Sequence, residues 1–265
     1  MEWLGLTGKT YIVTGGSSGI GAAIVHELIN NGANVVDADL KESAYKNDHL
    51  LFVQTDVTSR NQINKLVDRT IDVFGNIDGL VNNAGINLPR LLVDKKEANG
   101  QYELDENEFD KMFTINVKSQ FLMSQTVGHV LVKNGKGVIV NMSSEAGLEG
   151  SQGQSAYSAT KGAINGFTRS WAKELGSSNV RVVGVAPGIM EATGLRTPSY
   201  ENALAYTRNI TVDTLRAGYK STSTTPMGRS GKLSEVADLV NYLLSDRASY
   251  ITGVTINVAG GKSRG

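Results

Sequence analysis

A tyrosine and a lysine stand four residues apart in Tyr157-Ser158-Ala159-Thr160-Lys161, a spacing that puts a phenol and an ammonium on one face of a helix. As a bare pattern this reads equally well as the solvated side of an amphipathic helix. Its chemistry is more specific. A free phenol titrates near 10 and is a poor base at neutral pH, whereas a cation held beside it in a dry site favours the phenolate. Each pK unit of depression requires about 1.4 kcal/mol of preferential stabilisation, so two or three units require roughly 3 to 4 kcal/mol. Upstream, Ser143 and Ser144 close a Val/Ile-rich run, and either hydroxyl could hold an oxygen whose proton the phenol takes. Adjacent strand residues face opposite ways, so only one of the two serves. Other catalytic sets are poorly provided for. With no cysteine there is no thiolate nucleophile, thiolate zinc site or disulfide framework, and a reducing compartment such as the cytoplasm is expected. His26, His49 and His129 share no ligand spacing, so no catalytic metal is expected. Ser155 and Ser158 belong to no nucleophile elbow.

These groups need a scaffold, and apolar runs alternating with helical stripes supply one along the whole chain. The spacing predicts strands at 10–14, 34–38, 51–54, 79–82, 137–141, 181–186 and 254–258, most of them short and apolar throughout, as parallel strands covered on both faces are. A stripe through Ile20, Ile24, Val25, Leu28 and Ile29 predicts the first helix, stopped by Asn31-Gly32. Right-handed crossovers then give one α/β domain over residues 1–265, a doubly wound, Rossmann-like sheet of seven parallel strands with helices on both faces. Residues 189–230 contain no predicted strand and read as a helical excursion, the natural position of a substrate lid.

The first strand runs into Thr14-Gly15-Gly16-Ser17-Ser18-Gly19-Ile20-Gly21 and on into the first helix. Glycines let a backbone approach a pyrophosphate closely, and the helix N-terminus that follows offers free N–H groups. No Gly-Lys-Ser/Thr closes this loop, so it is not a P-loop. The second strand ends in Asp37-Ala38-Asp39, where a carboxylate can accept from an adenosine ribose and repel a 2′-phosphate, so NAD is expected over NADP. Spacing alone does not choose between the two aspartates, which lie on one side of a strand. Lys and Arg number 26 against 26 Asp and Glu, which argues against nucleic-acid or membrane-surface partners. Glycine is 30 of 265 residues, an excess that the turns of such a fold explain better than disorder. The first ten residues show no apolar signal region and no stretch is long enough to span a bilayer, so a cytoplasmic protein is expected.

The loop 14–21, Asn82-Asn83-Ala84-Gly85, Ser144, Tyr157 with Lys161, and Pro187-Gly188 occur together and in order, and the chain thereby resembles the short-chain dehydrogenase/reductase family over its whole length. The resemblance implies hydride transfer between NAD and a carbon bearing a hydroxyl, with Tyr157 as base, Lys161 as its activating cation and Ser144 rather than Ser143 on the substrate oxygen. It further implies that Asn116 bends a helix and supports a proton-relay water through its backbone carbonyl. By the same resemblance the pyrophosphate meets Gly15, Ser17, Ser18, Gly19, Ile20 and Gly21, and the adenosine ribose meets Asp39. Adenine lies by Asp56 and Val57, the nicotinamide ribose by Asn83, Ala84 and Gly85, and Pro187, Gly188 and Ile189 flank the nicotinamide. A homotetramer contacting through its last two helices and final strand is also implied. Residues 87–94, 144–151, 187–197 and 259–265 are similar, more narrowly, to members of the family that act on a polyol phosphate.

Composition on the substrate side agrees with that narrower resemblance. The excursion carries Glu191, Arg196, Arg208, Arg216, Lys220 and Arg229 beside Tyr200, Tyr206 and Tyr219, which suits sugar hydroxyls and a phosphate better than a steroid or acyl chain. Arg90 and Arg196 are the candidate phosphate contacts, with Lys262 or Arg264 reaching in from a neighbouring chain's tail, and Glu145 is a candidate reader of hydroxyls. Two features depart from the family pattern. The stretch between Gly85 and Asn116 is long, and Thr193 falls one residue later after Pro187-Gly188 than the family pattern places its cofactor-contacting threonine. The competing readings are the same fold acting on another polyol, sugar or sugar phosphate, and an NAD-sensing protein without turnover, which would need the glycine loop and Asp39 but not Ser144, Tyr157 and Lys161.

Overall fold

The computed structural model describes residues 3–220 and 225–263. β1 (Thr10–Thr14) leads through the glycine loop to α1 (Gly19–Asn30), β2 (Asn34–Asp39), β3 (Leu50–Gln54), α2 (Arg60–Phe74) and β4 (Gly79–Asn82). After a long loop come α3 (Glu106–Phe113), a π-helical turn over Thr114–Lys118, α4 (Ser119–Asn134), β5 (Gly137–Met142), the single turn α5 (Ala146–Glu149) and α6 (Ser155–Leu175). β6 (Val180–Pro187), α7 (Pro198–Arg208), α8 (Val212–Lys220), α9 (Leu233–Leu244) and β7 (Thr255–Val258) complete the chain. All pairings are parallel, in the order β3-β2-β1-β4-β5-β6-β7, so the predicted seven strands are present with ends shifted by one residue at most.

Strand alternation sends neighbouring residues to two cores. Tyr11, Val13, Val35 and Val140 face the layer of α1 and α9, packing with Ile24, Leu28, Val236 and Leu243. Ile12, Val36 and Ile139 face the opposite layer, with Ile63 and Leu66 of α2 and Val127 and Leu131 of α4. Both faces are thus sealed, which is why the strands read as unbroken apolar runs. The chain winds outward through β2 and β3 and then restarts at β4 on the other flank of β1. That reversal opens a crevice at the carboxyl ends of β1 and β4, where ligands of such sheets bind. The excursion forms α7 and α8, which pack on each other through Leu204, Ala205 and Leu215. Among the described residues no helix is long and apolar enough to cross a membrane.

Candidate active site

Two cavities meet at the carboxyl edge of the sheet. A cleft of about 430 Å3 runs past Gly15, Ser18, Gly19 and Ile20, along Asp39, Asp56 and Val57, and over Asn83, Ala84 and Gly85 to Tyr157, Lys161 and Pro187. A second cavity of about 220 Å3 lies under the excursion and is lined by Ser144, Glu145, Gly188, Ile189, Arg196, Arg208 and Lys262 among others. Tyr157, Pro187, Thr193 and Leu195 wall both. Thr193 therefore reaches the cleft despite its displaced register, and it lies so close to the glycine loop that a Cβ on Gly19 would fall 3.3 Å from its own.

The glycine loop is built by conformations that side chains disfavour. Gly15 and Gly19 have φ of +66° and +57°, and a Cβ on Gly21 would fall 2.0 Å from the Gly15 carbonyl oxygen. Thr14 Oγ1 accepts from the N–H groups of Asn83 (2.9 Å) and Ala84 (3.0 Å), while Asn83 Nδ2 donates to the Thr14 and Gly15 carbonyls (3.0 and 3.1 Å). The Asn-Asn-Ala-Gly stretch thus braces the loop. Two loop residues expected at the pyrophosphate, Ser17 and Gly21, do not line the cleft: Ser17 turns its hydroxyl onto Asp37 (2.6 Å), and Gly21 packs under Gly15.

The two aspartates of β2 divide their work. Asp39 lies at the rim of the cleft, where it accepts from the Ser17 (3.2 Å) and Leu40 (2.6 Å) amides. Asp37 is 2% exposed beneath the loop, and a Cβ on Gly16 would fall 2.5 Å from its Oδ1. Burial, aided by the charge of Asp39 and opposed by the Ser17 hydrogen bond, pushes the Asp37 carboxyl up to about 6.

At the other end, α6 presents Tyr157 and Lys161 where the cavities join. Lys161 is only 4% exposed, and its Nζ donates to the Met142 carbonyl (2.8 Å) and lies 5.6 Å from the centroid of the Tyr157 ring. Burial lowers this lysine to about 8. Burial also raises the Tyr157 phenol above its ordinary value, partly offset by a hydrogen bond with Ser144. The activated phenol expected from the Tyr-Lys spacing is therefore not a property of the chain by itself. Burial is the largest influence on the phenol, and Lys161 Nζ, over the ring, is bonded to the Met142 carbonyl. The serines separate as strand geometry requires: Ser143 donates to the Lys161 carbonyl (3.2 Å) and is buried, whereas Ser144 partners the phenol. Asn116 sits in the π turn, fully buried, with Oδ1 accepting from Ile86 N–H (2.8 Å) and Nδ2 donating to Ile86 C=O (2.8 Å) and Thr160 Oγ1 (3.1 Å). A Cβ on Gly85 would fall 3.1 Å from Asn116 Oδ1 and 3.8 Å from Lys161 Nζ, so these three positions form one packed unit.

The substrate-side candidates are partly redistributed. Arg90 lines neither cavity: its guanidinium pairs with Glu108 and donates to the Pro89 carbonyl. Arg196 does line the second cavity. This chain's own Lys262 lines the second cavity and pairs there with Glu145; Arg264 lies outside the described residues. Arg208 and Tyr200, marked in the sequence only by the composition of the excursion, and Asn87 of the 87–94 stretch join the lining, as does Gln154, which no local motif marked.

The family model of the short chain dehydrogenases matches residues 9–204, and the chain belongs to that family. It is 59% identical to the sorbitol-6-phosphate 2-dehydrogenase of Klebsiella pneumoniae over 99% of both chains, and 37% identical to a 3-oxoacyl-(acyl-carrier-protein) reductase of Thermotoga maritima over 97% of this chain and 98% of that one. Among solved structures, the 3-ketoacyl-(acyl-carrier-protein) reductase from Brucella melitensis complexed with NADH superimposes with a TM-score of 0.81 at 28% identity, covering 98% of this chain and 100% of that chain. The protein is thus an oxidoreductase with a doubly wound fold.

Proposed function

We propose that this enzyme interconverts D-sorbitol 6-phosphate and D-fructose 6-phosphate with NAD as the hydride acceptor. The observation that carries the reading is the meeting of Ser144, Tyr157 and Lys161 at the junction of a glycine-floored cleft and a polar, arginine-bearing cavity. The positive-φ glycines and the uncapped N-terminus of α1 suit a pyrophosphate, and the Asp39 carboxylate on the rim suits an adenosine ribose with a free 2′-hydroxyl. The residues fit a nicotinamide dinucleotide. Gly15, Ser18, Gly19 and Ile20 would hold its pyrophosphate, Asp39 its adenosine ribose, Asp56 and Val57 its adenine, and Asn83, Ala84, Gly85 and Pro187 its nicotinamide half.

When bound, that group supplies the hydride acceptor for oxidation and the donor for reduction. Tyr157 takes the hydroxyl proton of the substrate as the C–H bond gives up its electron pair, and returns it in the reverse direction. Ser144 hydrogen-bonds the same oxygen and Tyr157, fixing the line of proton transfer. Lys161, charged and dry, has two N–H bonds left after Met142, one for nucleotide sugar hydroxyls and one to favour phenolate. Asn116 positions rather than reacts: it ties Ile86 and Thr160 to the π turn, which keeps Gly85 and Lys161 in register.

An acyl chain fits less well, because the second cavity is lined by Glu145, Gln154, Arg196 and Arg208 rather than a continuous apolar wall. The proposed homotetramer draws support from β7, an edge strand flanked by solvent-exposed Tyr250 and Val254. The deciding experiment is a rate panel with NAD and NADP on sorbitol, sorbitol 6-phosphate and other polyol phosphates. Sorbitol 6-phosphate with NAD is expected to lead; equal rates on unphosphorylated sorbitol, or a preference for NADP, would overturn the reading.

A further inference from the structure

The arginines on the substrate side fall into two groups. Arg90, Arg216 and Arg229 each meet a carboxylate, at Glu108, Glu201 and Glu235. Among the described residues Arg196 and Arg208 meet none, and both line the second cavity. Arg196 donates to the Met190 carbonyl and lies flat on Tyr219, its guanidinium carbon 3.7 Å from the ring centroid. Arg208, in the last turn of α7, donates to Ser151 Oγ (3.2 Å). A guanidinium has five N–H donors, so each keeps several for the cavity, and neither forms an ion pair among the described residues.

Their place in the cavity follows from their contacts. Arg196 lies over the Tyr219 ring, and Tyr219 and Arg208 line the same cavity. Arg208 is joined to Tyr200 through Ser151, which donates to Gln154 (2.6 Å), and through Gln154, which donates to the Tyr200 hydroxyl (3.3 Å), and Tyr200 and Tyr157 line the same cavity. Lys262, the remaining cation of the cavity, is paired with Glu145 next to Ser144, and Glu191, the other carboxylate of the lining, accepts from the Leu233 N–H (2.8 Å). The cavity thus holds the reacting groups Ser144 and Tyr157 together with two guanidiniums, Arg196 and Arg208, that form no ion pair among the described residues.

We propose that Arg196 and Arg208 together form the binding site for the substrate's terminal phosphate. This rests on the polyol-phosphate reading above, in which the phosphate lies at the opposite end of the carbon chain from the reacting carbon. Two forked guanidiniums match a phosphate dianion in charge and geometry, and Tyr219 keeps Arg196 from folding back onto solvent. The site accounts for a phosphate preference without Arg90.

The test compares R196Q, R208Q and R208K with wild type, each first checked for NADH binding by fluorescence titration to establish folding. KM for sorbitol 6-phosphate is expected to rise between about 10- and 100-fold in R196Q and R208Q, less in R208K, with kcat changed far less. The preference for sorbitol 6-phosphate over sorbitol should fall by the same factor. Inorganic phosphate should inhibit wild type competitively with the polyol phosphate and lose that effect in both Gln variants. A preference that survives in R196Q and R208Q, or a KM that rises equally for both polyols, overturns the assignment alone. A wild type without preference for the phosphorylated polyol overturns the parent reading with it.

Discussion

The nucleotide cleft and the substrate cavity share a wall but are made in different ways. The cleft is a backbone structure: positive-φ glycines, a bare helix terminus and Thr14 bracing Asn83 and Ala84 come from short, contiguous segments at strand ends. The cavity is a side-chain structure, assembled from the segment after β5, α6, several parts of the excursion and the C-terminal tail. A backbone cradle offers the same N–H groups whatever the neighbouring side chains are, so it suits a ligand used unchanged by many enzymes. A cavity walled by side chains is retuned by single substitutions, which suits a substrate that varies between relatives as different as a sorbitol-6-phosphate dehydrogenase and an acyl-carrier-protein reductase.

Substitutions can break or sharpen that contrast. The largest effect is expected at the junction: Tyr157→Phe should lower kcat about 1,000-fold while NADH affinity, read by fluorescence, stays within twofold, since the ring's packing is kept and only the proton path is lost. Parallel loss of NADH binding would mean that the phenol belongs to the cradle instead. Asn116→Ala should cost about 2 to 3 kcal/mol in chemical denaturation, because the buried Ile86 N–H and C=O lose their partner. Asp39→Ala should weaken NAD about tenfold and narrow the gap to NADP, leaving KM for the polyol unmoved; a shift in that KM would blur the division of labour.

A smaller effect is expected from Asp37, which titrates near 6 in the fold against 3.8 in its unperturbed state. A carboxyl raised by folding binds more protons in the native state between these values. Stability therefore declines as pH rises from about 4 to 6, and the penalty is fully present above that window. Asp37→Asn should remove it, stabilising the protein at pH 7 by about 1 to 2 kcal/mol with little change at pH 4. Melting curves across pH 4 to 7.5 would test this, and parallel curves for the two proteins would refute it. The smallest effect should be that of Arg90→Ala, which gives up a partly exposed pair with Glu108 worth about 1 kcal/mol and leaves the preference for a phosphorylated polyol as it was.

What could be read in the chain follows the same division. The strand ends, the glycine loop and the Tyr157–Lys161 pair are local patterns, and they appear in the structure within a residue of where spacing puts them. Choices that depend on distant contacts were closed to such reading. Asp37 and Asp39 are alternates on one strand face until the loop buries one under Gly16 and leaves the other on the rim. Arg90 and Arg208 are equivalent as letters, and Glu108 is what removes the first from the cavity. Local spacing brings Lys161 to Tyr157 but says nothing about how dry the site is, and dryness decides the direction in which the phenol is shifted.

The long loop before α3 secures one flank of the excursion. It is tied to the far end of α7: Tyr206 donates to Asp94 (2.8 Å) and stacks on Tyr102 with ring centroids 4.2 Å apart, and Lys96 reaches Asn209 (2.8 Å). On that flank the roof is moored. Near the start of the excursion, Thr193 and Leu195 wall the cleft and the substrate cavity at once beside the glycine loop, so a shift there would alter both.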